Sequence, residues 1–258
     1  MQHVVSSDGT PIAVERTGAG PALVLVMGAF CDRTTTVDLT SLLTDRFTVY
    51  EYDRRGRGDS GDTAPYAIER EVEDLAAVIG AAGGSAFVYG HSSGGALALE
   101  AAAEGVPIGR MAVFEPPYTG DEVDDGSGTM LSRINGALAD GDPDLAAKFF
   151  MQGVGTPDHI IDMMKAGPGW ARMRSLAPTL PYDLTLSDHG SALMPGLASV
   201  STPTLAMAGG ASFPWAIEGA EKLAATMPNA RALSLPGQSH GPADDLVAAA
   251  LREFFTET

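Results

Sequence analysis

Ala86-Phe87-Val88-Tyr89-Gly90-His91-Ser92-Ser93-Gly94-Gly95-Ala96-Leu97-Ala98-Leu99 is the stretch that decides the fold of this chain. A four-residue run, apolar on both faces, leads through Gly90-His91-Ser92-Ser93-Gly94 into a helix-forming segment rich in alanine and leucine. Glycines flanking a serine let the backbone turn sharply from strand into helix. The hydroxyl then projects at the carboxyl end of a sheet, above the positive end of the helix dipole. Ser92 is therefore the candidate nucleophile, and the chain around it is expected to alternate strands with helices.

Working outward, Leu23 to Met27, Phe47 to Tyr50 and Met111 to Phe114 are further short runs apolar on both faces, as a parallel sheet covered by helices requires. Gln2 to Val5, a turn at Ser7-Asp8-Gly9 and Pro11 to Arg16 predict a hairpin on an antiparallel edge. Helical spacing predicts crossovers over Thr36 to Leu43, Ala67 to Ala82 and Ser93 to Glu104. In the second, Val72, Leu75, Ala76 and Ile79 make the buried stripe, with Glu69, Glu71 and Asp74 expected to face water. After Glu115-Pro116-Pro117 the alternation stops, and an acidic, glycine-containing linker leads into helical segments that run to about Ser199. Alternation resumes with a strand at Thr204 to Ala208, a helix over Trp215 to Met227, a strand at Arg231 to Leu235 and a helix over Pro242 to Phe255. The expected organisation is one α/β core, residues 1–117 and 202–258, with an inserted helical cap over 118–201.

The 258 residues, 45% of them hydrophobic, suffice for one large core. A formal charge of −17 repels nucleic acid and anionic membrane, and Arg54-Arg55-Gly56-Arg57 is the one basic cluster. A small-molecule substrate is expected, with neither nucleic acid nor membrane as partner. The single Cys31 excludes an internal disulfide and a multi-cysteine metal site. No leader pattern opens the sequence and no apolar run approaches the ~20 residues that span a bilayer, which predicts a cytoplasmic protein. No cofactor and no metal are called for.

A serine hydroxyl is a poor nucleophile until a histidine accepts its proton, and that histidine needs a carboxylate to fix its tautomer and stabilise its cation. Among five histidines, His240 is favoured, because Pro236-Gly237-Gln238-Ser239-His240-Gly241 is a turn after the last expected strand, on the same sheet edge as Ser92. His91, inside the elbow, is read as a packing neighbour.

With these features the sequence resembles the α/β-hydrolase family over nearly its whole length. Asp53-Arg54-Arg55-Gly56-Arg57-Gly58-Asp59-Ser60 is similar to the family's Asp-x-Arg-Gly-x-Gly-x-Ser turn, whose task is to tie loops together. Met27-Gly28-Ala29-Phe30 stands where the family carries a His-Gly-x oxyanion loop, with methionine in place of the histidine. The resemblance implies an eight-stranded, mostly parallel sheet flanked by helices, and an oxyanion hole made by the N–H groups of Ala29 and Ser93. In the family the triad acid usually follows the penultimate strand, but here that turn reads Gly209-Gly210-Ala211-Ser212 and holds no carboxylate. Some relatives place the acid one strand earlier, which implies Glu115; the plainer reading is a loop-capping or salt-bridging glutamate, with Asp183 and Asp188 as distant reserves. Glu115-Pro116-Pro117 and Gly209-Gly210-Ala211-Ser212 together resemble an actinobacterial subgroup of the family.

Phe30, Tyr118, Phe150, Trp170 and Trp215 are the candidate lining of an apolar substrate pocket between cap and core. The expected activity is cofactor-independent hydrolysis of a carboxylic ester, thioester or lactone through an acyl-enzyme on Ser92, with His240 as base and Glu115 as its orienter. A carboxylate nucleophile, as epoxide and haloalkane hydrolysis require, is absent from the elbow. Two other readings stand beside this one. C–C bond hydrolysis or a lyase reaction would use the same serine and histidine, and a ligand-binding or biosynthetic accessory protein would keep the cleft with an incomplete triad.

Overall fold

The computed structural model describes residues 1–117, 129–193 and 196–257. β1 (Gln2–Val5) and β2 (Pro11–Gly18) form the expected antiparallel hairpin, and β2 then lies antiparallel on a strand of the main sheet. β3 (Ala22–Val26), α1 (Val37–Leu43), β4 (Thr48–Tyr52), α2 (Ile68–Ala81), β5 (Ala86–His91), α3 (Ser93–Ala103) and β6 (Ile108–Phe114) follow in strict alternation. After the helical segment come β7 (Thr204–Gly209), here preceded in the chain by five helices described below, a helix over Pro214–Thr226, the strand β8 (Ala230–Leu235) and a closing helix over Asp244–Thr256. The eight strands order as β1-β2-β4-β3-β5-β6-β7-β8, and every pairing from β4 to β8 is parallel.

Period-two alternation explains why these strands sit in the middle of the molecule. Successive side chains point to opposite faces of a strand. In β3, Val24 and Val26 pack with α2, α3 and the Pro214–Thr226 helix on one face. Leu23 and Leu25 pack with α1 and the Asp244–Thr256 helix on the other. Both faces are dry, so a polar substitution on either side of β3 has no solvent to meet.

Between β6 and β7 the described residues are helical: α4 (Met130–Ala139), α5 (Pro143–Gly153), α6 (Asp158–Ala166), α7 (Trp170–Leu176) and α8 (Leu180–Leu193), with short 3-10 turns at Ala177–Thr179 and Gly196–Ser199. Thr129 and Asp142 cap α4 and α5 with side-chain hydrogen bonds, and Pro143 opens α5 at a position where its missing N–H costs nothing. These helices build a cluster of their own around Ile134, Ala146, Ile161, Leu180 and Leu184. α8 joins it to the rest: Leu184 belongs to that cluster, whereas Leu186, half a turn on, is buried in the core over the sheet. The helix over Pro214–Thr226 is α9 and that over Asp244–Thr256 is α10. No helix among the described residues is long and apolar enough to cross a membrane.

One expectation for α2 is corrected. Glu69 is exposed as expected, but Glu71 and Asp74 are each only 1% exposed. Glu71 receives Nε and Nη2 of Arg54, and Asp74 receives Nε and Nη2 of Arg55. The arginine-rich turn after β4 is buried, and buried guanidinium groups require carboxylates. α2 supplies them from the face that a simple amphipathic pattern assigns to water. The turn thus ties loops together, as its resemblance implied.

Candidate active site

The six parallel strands end at one edge, and the loops that follow β3, β5, β6, β7 and β8 there each carry one part of the site. The only residues other than glycine with left-handed backbone, among those described, are Phe30 (φ 58°), Ser92 (φ 55°) and Glu115 (φ 46°), which follow β3, β5 and β6. Such conformations cost of order 1–3 kcal/mol each for residues with a Cβ and persist only where the surroundings over-determine them. Their concentration at one sheet edge marks the place where the fold holds side chains against local preference.

Ser92 sits at the junction of β5 and α3. Its N–H donates to the Phe114 carbonyl at 2.9 Å and its carbonyl accepts from Gly95 at 2.8 Å, which locks the turn to β6 and to α3. The flanking glycines are required by close approach. A Cβ on Gly90 would lie 2.6 Å from the Gly94 carbonyl oxygen, and one on Gly94 would overlap the Val26 carbonyl. The Ser92 hydroxyl makes no hydrogen bond among the described residues and is partly exposed, so it is free to meet an incoming group.

The turn after β3 lies directly over this hydroxyl: a Cβ on Gly28 would come 2.8 Å from Ser92 Cβ and 3.4 Å from Oγ. The Gly28 carbonyl accepts from Arg57 Nη1 at 2.6 Å. In a trans peptide the N–H of the next residue points the opposite way, so the Ala29 N–H faces away from Arg57. Ser93 is the first residue of α3, and its N–H has no intrahelical partner. Neither amide donates to another backbone group in the described turns and loops. At Met27, which stands where a histidine was expected, the backbone carbonyl accepts from Arg54 Nη1 at 3.3 Å.

Glu115 is fully buried and makes three hydrogen bonds. Oε1 accepts from the Gly209 N–H at 2.7 Å, and Oε2 accepts from Ser212 Oγ at 2.8 Å and from His240 Nδ1 at 2.6 Å. Burial pushes the Glu115 carboxyl up, but the bonds from His240, Gly209 and Ser212 outweigh it and hold the group below its ordinary value. An ionised carboxylate only accepts, so His240 Nδ1 carries the proton of this bond, and in the neutral ring Nε2 is then the acceptor. Ser212 occupies the turn where a carboxylate was expected and missing; there it serves as a donor to the carboxylate from the neighbouring strand. Its hydroxyl cannot carry the charge, but it bonds the carboxylate that does.

His240 does not hydrogen-bond Ser92 among the described residues; catalytic contacts are often long before substrate binds. His91 packs as expected. Its ring stacks on Phe114 at 5.6 Å and its Nε2–H donates to the His240 carbonyl at 2.9 Å, while Nδ1 is buried without a partner. Burial, with the neighbouring His240, lowers its pKa to about 4, so the ring is neutral near pH 7.

The candidate lining residues fall into two groups and two separate cases. Phe30 and Phe150 meet edge to face at 5.3 Å beside the turn after β3. Trp215 lies 6.2 Å from the His240 ring and stacks on Phe213 at 6.0 Å. Trp170 is only 8% exposed, its indole N–H donates to Asp144 at 2.6 Å and Lys165 covers its ring, so its surface is committed to the helical cluster. Tyr118 lies outside the described residues.

Asp188 is exposed. Asp183, the other reserve acid, is 1% exposed and binds Ser93, Arg54 and Arg57. Burial pushes its carboxyl up, but Arg57, Arg54 and Ser93 hold it below the ordinary value. Its partners lie 90 to 129 residues away in the chain, beyond what spacing reveals.

Comparison with known proteins agrees with this fold. The profile described as "Alpha/beta hydrolase family" matches residues 23–254. The crystal structure of an alpha/beta hydrolase from Sphaerobacter thermophilus is similar at 50% identity and a TM-score of 0.92, covering 99% of this chain and 100% of that one. A pimeloyl-[acyl-carrier protein] methyl ester esterase of Xanthomonas campestris is 29% identical over 257 residues, 93% of this chain and 97% of the esterase. The N-formylmaleamate deformylase of Pseudomonas putida is 35% identical over 107 residues, 40% of this chain and 40% of that enzyme.

Proposed function

The chain belongs to the alpha/beta hydrolase family and is a serine hydrolase; from that premise we propose that it cleaves a carboxylic ester, thioester or lactone of a small apolar substrate through an acyl-enzyme on Ser92. The observation that carries the reading is the buried Glu115 carboxylate bonded to His240 Nδ1 at 2.6 Å, at the sheet edge where Ser92 is held in a left-handed turn. With Nδ1 occupied, His240 Nε2 accepts the Ser92 proton as the oxygen attacks the substrate carbonyl. The N–H groups of Ala29 and Ser93 receive the oxyanion, where one donor is typically worth ~3 kcal/mol of transition-state stabilisation. The protonated His240 then donates to the departing alcohol, thiol or ring oxygen. Water, deprotonated by the same nitrogen, releases the acid and restores Ser92.

An ester is favoured because the esterase relative spans nearly the whole chain, whereas the similarity to the deformylase spans less than half of either protein. Phe30 with Phe150, and Trp215 with Phe213, provide apolar walls on the oxyanion and histidine sides. The intact Glu115–His240 bond speaks against an accessory protein with an incomplete triad. C–C bond hydrolysis would use the same residues, and a panel of vinylogous diketones beside the esters separates it. The test is labelling with a fluorophosphonate probe followed by peptide mapping. Modification of Ser92, absent in Ser92→Ala, is expected; a folded protein that stays unlabelled contradicts the reading.

A further inference from the structure

The oxyanion turn and the elbow helix are held by a residue of neither. Asp183, on α8 of the helical segment, accepts three hydrogen bonds on a single oxygen, Oδ1: from Ser93 Oγ at 2.6 Å, from Arg54 Nη1 at 2.8 Å and from Arg57 Nη2 at 2.8 Å. The second oxygen, Oδ2, is buried and unpartnered among the described residues, so the bonding of this carboxylate is concentrated at one junction. From that junction two arms reach the proposed oxyanion donors. Ser93 is itself one donor, and Arg54 Nη1 also reaches its hydroxyl at 3.1 Å. Arg57 Nη1 holds the carbonyls of Gly28 and Cys31 at 2.6 and 3.3 Å, which aims the Ala29 N–H, and Arg54 Nη1 holds the Met27 carbonyl.

Ser93, Arg54, Arg57 and Asp183 are each 3% exposed or less, so these bonds are made away from solvent. A fixed network in such surroundings keeps its geometry as charge develops nearby, which is what an oxyanion hole needs. We propose that Asp183 is a positioning residue for the hydrolysis: it fixes the Ser93 and Ala29 amides relative to each other and makes seating of α8 a condition for a complete oxyanion hole. The two guanidinium groups offset its charge and that of Glu71, so no net negative charge faces the oxyanion. The proposal rests on the reading of Ser92 as nucleophile given above.

Two variants test it on p-nitrophenyl butyrate hydrolysis, with fluorophosphonate labelling of Ser92 as a second readout. Ser93→Ala keeps the backbone N–H and all charges and cuts one arm; Asp183→Asn removes the junction's charge at constant size. A displaced donor should cost less than a deleted one, so kcat is expected to fall about tenfold in Ser93→Ala and about a hundredfold in Asp183→Asn. kcat and kcat/KM should fall equally, the signature of an interaction made in the transition state. The double variant should be no slower than Asp183→Asn alone, because both cut the same connection. Native kcat in Ser93→Ala overturns the proposal even if Asp183→Asn fails to fold, as does a change confined to KM. If the native chain neither turns over the ester nor labels at Ser92, the reading of Ser92 falls and the proposal with it. Native kinetics in both variants, with Ser92→Ala inactive, sinks the proposal alone.

Discussion

Two buried carboxylates at this sheet edge receive nearly the same treatment and are read in different roles. Glu115 and Asp183 are each at most 1% exposed, each accept three hydrogen bonds, and each are held below their ordinary carboxyl value. Burial, bond count and electrostatic stabilisation therefore do not tell a catalytic acid from a structural one. The partners do. Glu115 faces a histidine, whose second nitrogen can accept a proton and return it, and Asp183 faces two arginines, which cannot be deprotonated in proteins. On the proposed reading one carboxylate tunes a base and the other holds a frame.

The comparison yields predictions of decreasing size. The largest concerns the proposed nucleophile: Ser92→Ala should lower kcat by roughly 10⁴- to 10⁶-fold with the unfolding midpoint little changed, and a loss under tenfold would remove the serine from the chemistry. On the histidine side, His91 is neutral in the fold down to about pH 4 but takes up a proton near 6.5 once unfolded. Between those values the unfolded chain binds more protons, so stability is full above pH 6.5 and declines as pH falls toward 4. The loss is of the order of 3 kcal/mol, and urea titrations of native protein and His91→Asn across this window should diverge by that slope. Parallel pH dependence would show that His91 is not held neutral.

On the arginine side, Asp74→Asn breaks the pair with Arg55 remote from Ser92. Burial raises the Asp74 carboxyl despite the Arg55 bonds, so the pair contributes less than its geometry suggests. A loss of about 2 kcal/mol is expected, below the usual cost of breaking a buried pair, with kcat/KM within twofold of native. A kinetic defect larger than the stability defect would mean that the frame and the proton path are not separate. The smallest effect belongs to Ser212→Ala, which removes one neutral donor from Glu115. A net hydrogen bond of about 1 kcal/mol sets the scale, so kcat should drop about fivefold, and Ser212→Thr should restore it.

How legible each region was in the sequence follows from the same difference. The elbow, the hairpin and the parallel strands are local: flanking glycines and short runs apolar on both faces specify them, and the structure places them within a few residues of expectation. Glu115 came into view only through the resemblance, since some relatives place the acid at the end of that strand, and its bond to His240 spans 125 residues. The arginine frame was only half legible. Arg54, Arg55 and Arg57 stand out in a chain of charge −17. Their carboxylates are drawn from α2, 17 to 19 residues on, and from α8, more than 120 residues on. A helical wheel assigns Glu71 and Asp74 to solvent because it knows nothing of what packs on them; three clustered arginines followed by an amphipathic helix bearing carboxylates were the available signal.

The division of labour is tested most directly by the second-order rate of Ser92 phosphonylation by a fluorophosphonate in Glu115→Gln, measured from pH 5 to 9 beside native protein. If Glu115 sets the tautomer and stabilises the cation of His240, the amide should slow labelling by roughly 10³- to 10⁴-fold near pH 7, as loss of the carboxylate does in other serine triads. A Glu115→Gln protein that is folded and labels at the native rate throughout that range would contradict the assignment and leave Glu115 a structural acid like Asp183.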